Sequence, residues 1–568
     1  MPSDIMSTYP VYLPDWPGDD PASEKQDQAN YMIYGNITRS AVVDRLQYGE
    51  APQVLLELTT AYMGLRRLPH RFCTRAVLLV DALAYATDPS ANRLSKEIWK
   101  DLVRLGFAEI YCDLILDPTF CCPQGEGDMK LVTALFRGLH HILSFMRTTV
   151  LISVNYDMDD VVHRIFPRVW QRVWEDRPLL LHRDDSVDHG QGRDVIEACL
   201  QQSADFYQMR FPGGCLPPSS YVPYVALSLW LDSDAPPSRA LLEPYIGCMY
   251  GPSKGIPKDD VIKLVEDIVL DAYGPHVVFD KIDGVIESNS GERVKTCYAD
   301  VLYTLNFLSG ILSHTTIFLH FSARDTFHYM LDMFQDHTRS LREKDTILGE
   351  GYNPWMMWER ISSIISAFWF MNEQARKGQS PGSFSLEKFS GHEIVKTVVC
   401  ALELIALGYS PEEKGDQTDQ LRERDLSTLI EVLPLYHKFK KDEPQAWVFN
   451  EGIKRGMRAC WYDGVHFLRT AQYRLGNHAH VYEEVEKAWM KAGQCYGLDE
   501  LAEKRRHQRE ARKYCSDLGC PYSRADPPDA LLACRGCGDA WYCDSGCQKR
   551  DWKKGGHKKV CGRRLKAA

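Results

Sequence analysis

The chain has 568 residues, 44% of them hydrophobic and 25% charged, with a formal net charge of −10. That balance is the one expected of a soluble globular protein rather than a fibrous or disordered chain, and the length suffices for several domains or one extended helical array. The charge is uneven: residues 503–568 hold 17 Lys and Arg against 8 Asp and Glu, a net of +9, which leaves −19 for the acidic body before them.

Residues 1–35 are rich in Pro, Asp, Ser and Gln and are predicted to form a poorly ordered leader, with Trp16 and several tyrosines available for docking. Regular structure is expected from Ile37, and residues 36–443 are read as an all-α body. Apolar residues there recur at helical spacing, as in Val54, Leu55, Leu58, Ala61 and Leu65, and strand-like alternation is scarce. Helices are predicted at 130–146, 161–174, 195–209, 259–270, 299–320, 352–374, 395–407 and 421–437. Loops are predicted at 183–192, 211–223, 251–258, 377–390 and 410–420, where Gly, Pro, Ser and charges cluster.

Residues 100–116, with Gly106 between two apolar runs, resemble the joint of an armadillo-type repeat. No clean period runs along the chain, and an irregular bundle produces the same local pattern. Val301 to Ala323 carries no Asp, Glu, Lys or Arg and is long enough to span a bilayer, but Asn306, His314, His320 and several Ser and Thr make a buried core helix the expectation and no membrane partner. Residues 444–514 read as a helical connector with a basic end at Lys504, Arg505, Arg506, Arg509, Arg512 and Lys513, better explained as a solvated helix face than as a nucleic-acid patch.

The last part of the chain carries chemistry. Cys515, Cys520, Cys534, Cys537, Cys543, Cys547, His557 and Cys561 follow one another within residues 515–561, enough thiolate and imidazole for two closed tetrahedral zinc shells. Cys534-Arg535-Gly536-Cys537-Gly538 forms a short loop that brings two ligands together at little closure entropy. His557 and Cys561 stand four apart, so a helix places them on one face, with Gly555-Gly556 as a break before them. Disulfide bonding is the alternative. No signal peptide is evident and the other cysteines sit in apolar contexts, so a reducing intracellular setting, cytoplasm or nucleus, is expected.

The stretch from Cys534 to Cys561, with Tyr542-Cys543 and Cys547-Gln548-Lys549-Arg550-Asp551-Trp552 followed by His-x3-Cys, resembles the MYND-type zinc finger. The first ligand pair and the interval from Cys547 to His557 are longer than the family pattern, with the extra length in Asp517-Leu518-Gly519 and Gly555-Gly556. Spacing alone leaves a sequential pairing of ligands open. The resemblance implies interleaving: Cys515, Cys520, Cys543 and Cys547 on one structural Zn2+, and Cys534, Cys537, His557 and Cys561 on the other. It also implies a mostly α protein that ends in a small two-zinc finger at 515–561, followed by a basic tail at 562–568.

For function, the resemblance implies a protein-interaction adaptor whose finger grips proline-containing peptides, with Gln548 and Trp552 helping to form the groove. An indole face suits a proline ring, and a side-chain amide suits exposed peptide carbonyls. No phosphate loop and no His-Glu-x-x-His pair is present, and the scattered histidines lack metal-site spacing, so no catalytic role is expected. Two alternatives carry less weight. A SET-type lysine methyltransferase needs strands and a catalytic domain after the finger, and nucleic-acid binding by the basic tail rests on charge alone.

Overall fold

The computed structural model describes residues 37–65, 69–91, 93–117, 126–150, 164–181, 187–210, 216–233, 246, 257–289, 298–343, 354–376, 389–409, 426–427, 429–434, 444–475, 482–511, 513–523 and 525–561. The predicted leader, the basic tail and most of the predicted loops at 251–258, 377–390 and 410–420 lie outside these residues. The chain divides into two compact units, Met1–Ala272 and Tyr273–Ala568.

In the first unit helix follows helix: α1 (Arg39–Gln47), α2 (Ala51–Leu65), α3 (Pro69–Ala86), α4 (Lys96–Arg104), α5 (Phe107–Leu116), α6 (Glu126–Val150), α7 (Phe166–Glu175), α8 (Val187–Arg210), α9 (Val222–Leu231) and α10 (Lys258–Val265), the last running on as a π-helix from Glu266 to Ala272. The hydroxyls of Thr38 and Ser95 cap α1 and α4, accepting from the N–H groups of Ala41 and Ile98. The long α6 packs against α3, α5 and α8. Arg193 of α8 is buried, and its guanidinium donates to the Leu181, Leu229 and Asp232 carbonyls. Two of these end α9, where the helix dipole favours a cation.

The second unit contains α11 (Pro275–Ser288), α12 (Tyr298–Ile311), α13 (Thr315–Ser322), α14 (Thr326–Glu343), α15 (Pro354–Arg376), α16 (Gly391–Leu407), α17 (Pro444–Leu475), α18 (Glu483–Cys495) and α19 (Glu500–Ala511). Phe327, Phe368, Phe389 and Phe449 stack through its core, with ring centroids 4.2 Å apart for Phe368 and Phe389 and 5.9 Å for Phe368 and Phe449. Helix α17 is the hub. It lies along α16 over the most extensive helix contact among the described residues and also meets α18, α19 and the C-terminal segment.

An all-α body is therefore what the periodicity predicts, with local differences. The predicted helix 299–320 is two helices, because the chain turns at 312–314 and restarts with His314 as N-cap. No helix among the described residues is long and apolar enough to cross a membrane. The predicted loop 183–192 is helical from Val187 onward. Helix α9 is missed by periodicity because all ten of its residues are buried, which leaves no polar face to set a phase. Helices α11 and α14 are also unpredicted, although Phe327, Met330, Leu331 and Phe334 do recur at helical spacing and are buried.

Two tryptophans fix α18 on α17. Trp461 Nε1 donates to the Trp489 carbonyl at 3.0 Å, and Trp489 Nε1 donates to the Trp461 carbonyl at 2.9 Å. Each indole lies over a glycine: a Cβ on Gly493 would fall 2.2 Å from Trp461 Cε2, and one on Gly464 2.6 Å from Trp489 Nε1. In an ordinary helix interior Gly→Ala stabilises by roughly 0.5–1 kcal/mol. Here the clash reverses the sign, since overpacking costs about 1–3 kcal/mol. Gly464→Ala is expected to lower the urea midpoint of the second unit's unfolding, read by tryptophan fluorescence, whereas Ala at a solvent-facing helical position would raise it or leave it unchanged.

Candidate metal centre

The C-terminal segment brings its ligands together through short turns. Cys515 and Cys520 flank a loop closed by the Cys520 N–H on the Asp517 carbonyl at 2.9 Å and tied back by the Cys515 N–H on the Tyr522 carbonyl at 2.8 Å. Strand β1 (Leu532–Ala533) pairs antiparallel with β2 (Trp541–Tyr542) in the register Leu532↔Tyr542, Ala533↔Trp541. The turn after β1 places Cys534 and Cys537 side by side, closed by the Gly538 N–H on the Cys534 carbonyl at 2.8 Å. A Cβ on Gly536 would lie 2.7 Å from Cys561 Sγ, so the close approach of that sulfur requires glycine there. Cys543 leaves β2, and Cys547 enters α20 (Ser545–Arg550), whose N-cap Asp544 accepts from the Cys547 N–H at 2.8 Å.

The predicted break at Gly555-Gly556 is present. A π-helical turn (Asp551–Gly555) ends at Gly556 with φ +83°, and α21 (His557–Val560) then delivers His557 and Cys561. At Gly555 a Cβ would sit 2.0 Å from Asp551 Oδ1. The same turn packs on α17, where a Cβ on Gly556 would approach the Tyr473 Cβ to 3.3 Å.

The eight side chains form two clusters, Cys515 with Cys520, Cys543 and Cys547, and Cys534 with Cys537, His557 and Cys561. Within each, all donor atoms lie within 4.8 Å of one another. Thiolates at about 2.3 Å from a tetrahedral zinc stand about 3.8 Å apart. The Cys520–Cys543 sulfurs are 3.6 Å apart, the Cys534–Cys561 sulfurs 3.9 Å, and His557 Nε2 is 3.3 Å from Cys534 Sγ and 3.6 Å from Cys537 Sγ. The donor sets and spacing therefore fit two structural Zn2+ ions, with the interleaved grouping that the family resemblance implies.

Electrostatics agree with this fit. Burial pushes the Cys537 thiol up to about 11 and Cys547 up to about 12, and raises Cys515 and Cys543 as well. Burial also opposes the Cys534 thiolate, but the N–H groups of Gly536 and Cys537 outweigh it and hold this thiol below its ordinary value. Burial lowers His557, which keeps its imidazole neutral, the form that ligates metal. Sulfurs this close become thiolates together only beside a cation. The buried cluster of the segment is Cys515, Cys520, Cys534, Cys537, Ala540, Tyr542 and Cys547, so its core consists largely of ligands.

Around the ligands lies a set of polar partners. Gln548 Nε2 donates to Cys534 Sγ at 3.5 Å, the Asp539 N–H donates to Cys537 Sγ at 3.4 Å, and an Arg550 guanidinium N–H donates to Cys547 Sγ at 3.0 Å. Tyr542 donates its hydroxyl to the buried Asp551 at 2.7 Å, and burial of that carboxyl pushes its pKa up to about 6. Of the two residues implied for peptide binding, Trp552 is half-buried with its ring edge-on to His557 at 5.9 Å, and Gln548 is half-buried. Asp517 and Arg550 enter the sequence reading only as members of longer stretches, and their pairing is not legible there because it depends on a contact across 33 residues.

Residues 513–561 match the MYND finger family. No curated protein and no solved structure matches the chain. The C-terminal segment of this all-α protein is thus a MYND finger, a zinc-binding, non-catalytic protein-interaction module.

Metal analysis of the purified chain is expected to return two zinc ions per molecule; one zinc, or iron in its place, contradicts the two-shell arrangement. Cys537→Ser is expected to remove one ion and unfold the finger while far-ultraviolet circular dichroism of the helical body changes little, because the zinc-binding energy folds this mini-domain alone.

Proposed function

We propose that this protein is an interaction adaptor whose finger holds an extended, proline-containing segment of a partner along β1, with Gln548 and Trp552 lining the groove. The observation that supports the reading is the edge of β1, which is open among the described residues. The other edge of the hairpin is covered: the Ser516 N–H donates to the Trp541 carbonyl at 2.6 Å, and the Trp541 N–H donates to Ser516 Oγ at 2.8 Å. Residues directly opposite in an antiparallel pair point their main-chain groups either both inward or both outward. Trp541 points outward to Ser516, so the N–H and C=O of Ala533 point to the opposite, solvent-facing edge. An extended peptide adds there as a third strand, with main-chain hydrogen bonds for affinity and side-chain pockets for specificity.

Exposed and half-buried groups of the finger suit such a ligand. Leu532 is 60% exposed on β1. The indole of Trp552, propped by His557, offers a preset apolar face for a proline ring. The Gln548 amide nitrogen faces Cys534 Sγ, which orients its carbonyl oxygen as an acceptor for a peptide N–H. Lys549, Lys553, Lys554 and Lys558 are exposed, so acidic flanks on the peptide raise affinity at low salt without setting specificity.

Two observations favour this reading over its alternatives. Among the described residues the only sheet is the two-stranded hairpin, whereas a SET fold is built on strands. In the basic α19, Arg506 is engaged by Glu503 and by the Arg458 carbonyl rather than presented for phosphate. The test is a peptide-array screen with the full chain followed by titration of the hits. Proline-containing hits are expected to lose at least about 10-fold in affinity on Trp552→Ala while both zinc ions remain, in keeping with truncation of a buried aromatic anchor. Undiminished binding with intact metal overturns the groove. A steep salt dependence towards any DNA or RNA, abolished by changing Arg505 and Arg506 instead, would assign the tail to nucleic acid.

A further inference from the structure

The two metal shells are unequal in charge, and the residues around them are unequal to match. A zinc ion with four thiolates carries two negative charges in excess, while one with three thiolates and an imidazole carries one. At the Cys534 shell the outer donors are neutral, the Gln548 amide and the Asp539 N–H. At the Cys515 shell the backbone N–H groups of Asp517 and Cys543 face Cys515, and a cation is added to them: Arg550 reaches Cys547 Sγ at 3.0 Å. A charge-assisted donor of this kind is roughly twice as strong as a neutral one.

Arg550 is held in place by the first ligand loop. Its Nε donates to Asp517 Oδ2 at 2.8 Å, and the Asp517 side chain is only 8% exposed. Asp517 in turn builds that loop: its carbonyl accepts the Cys520 N–H at 2.9 Å and its Oδ1 accepts the Gly519 N–H at 3.2 Å. A single guanidinium therefore spans from the loop bearing Cys515 and Cys520 to the helix bearing Cys547. The carboxylate thus comes from the four-residue interval between Cys515 and Cys520. An exposed ion pair contributes about 0–1 kcal/mol. With one partner buried and the other bonded to a ligand sulfur, this pair acts on the metal instead.

We propose that Asp517 and Arg550 form a clamp that selectively holds the ion of the four-cysteine shell, with Gln548 as its neutral counterpart at the three-cysteine, one-histidine shell. Both are positioning residues, and the inference stands whether or not the finger binds proline-containing peptides. Outer-shell partners of metal ligands typically govern metal affinity by 10–100-fold.

The test uses the full chain loaded with zinc, and with cobalt in parallel, and follows metal transfer to a chromophoric chelator. Arg550→Gln and Asp517→Asn are each expected to release one of the two zinc equivalents at least about 10-fold sooner, with the other unchanged. Cobalt spectra, which differ between four-sulfur and three-sulfur-one-nitrogen sites, should show the four-sulfur signal leaving first. Gln548→Ala should accelerate the other equivalent alone. Arg550→Lys, which keeps the charge but loses the planar fork that reaches both Asp517 and Cys547, should fall between wild type and Arg550→Gln. Equal acceleration of both equivalents by Asp517→Asn would mean a general loosening of the finger and would overturn the selective clamp. Unchanged release in both Asp517→Asn and Arg550→Gln would overturn it as well. Two zinc equivalents per chain before the chelator is added report that the finger is folded in each variant.

Discussion

The second unit depends on how closely other elements approach helix α17. Helices packed with full side chains between them stand 8–10 Å apart, and closer contact needs positions without a Cβ. Along α17 and its partners those positions are glycines. A Cβ on Gly391 would lie 2.3 Å from the Phe449 carbonyl oxygen, where α16 crosses α17. Gly464 and Gly493 admit the paired indoles of Trp489 and Trp461, and Gly556 brings the finger onto Tyr473. The same helix therefore carries body, α18, α19 and finger. The indole N–H groups, which are costly to bury unpaired, are satisfied by carbonyl oxygens that keep a second lone pair beyond their helical hydrogen bond.

The finger solves a different problem. A segment of this size buries too little apolar surface to offset the entropy of ordering its chain, and most of its buried residues are ligands. The metal ions thus replace a core. Interleaving matters for the same reason. Each cluster joins ligands from before and after β2, so the two ions together lock the N-terminal loop, the hairpin and the terminal helices into one body. A sequential pairing would make two beads on a string with nothing to fix one against the other. The outer groups add orientation: the Asp544 cap sets α20, and the buried Tyr542–Asp551 hydrogen bond ties β2 to the π-helical turn.

Structural metal and the proposed peptide-binding surface also share atoms. Gln548 faces a ligand sulfur, and Trp552 leans on the ring of a ligand histidine. Side chains held this way have little rotamer freedom left to lose, which is the preorganisation the proposed peptide contact draws on. Residues 503–568 are basic while the chain before them is acidic, which gives this stretch a long-range attraction for acidic groups, an effect on encounter rates more than on specificity.

By itself the sequence determined the chemistry of the C-terminal segment, because zinc shells demand Cys and His and tolerate few substitutes at short spacing. It also determined that the body is helical, since a 3.6-residue apolar recurrence persists wherever a helix has one dry and one wet face, as in α2. Only the tertiary structure decided which ligands share an ion, because spacing satisfies interleaved and sequential pairings equally well. The three-dimensional arrangement likewise decided where periodicity is silent: α9, buried all round, has no polar phase, and the apolar run at 301–323 hides a turn at 312–314. Asp517, Arg550 and the Trp461–Trp489 pair belong to the same class. Nothing in their local sequence marks them, because their roles are created by contacts between residues 28 to 33 positions apart, and such pairing is a property of the folded chain.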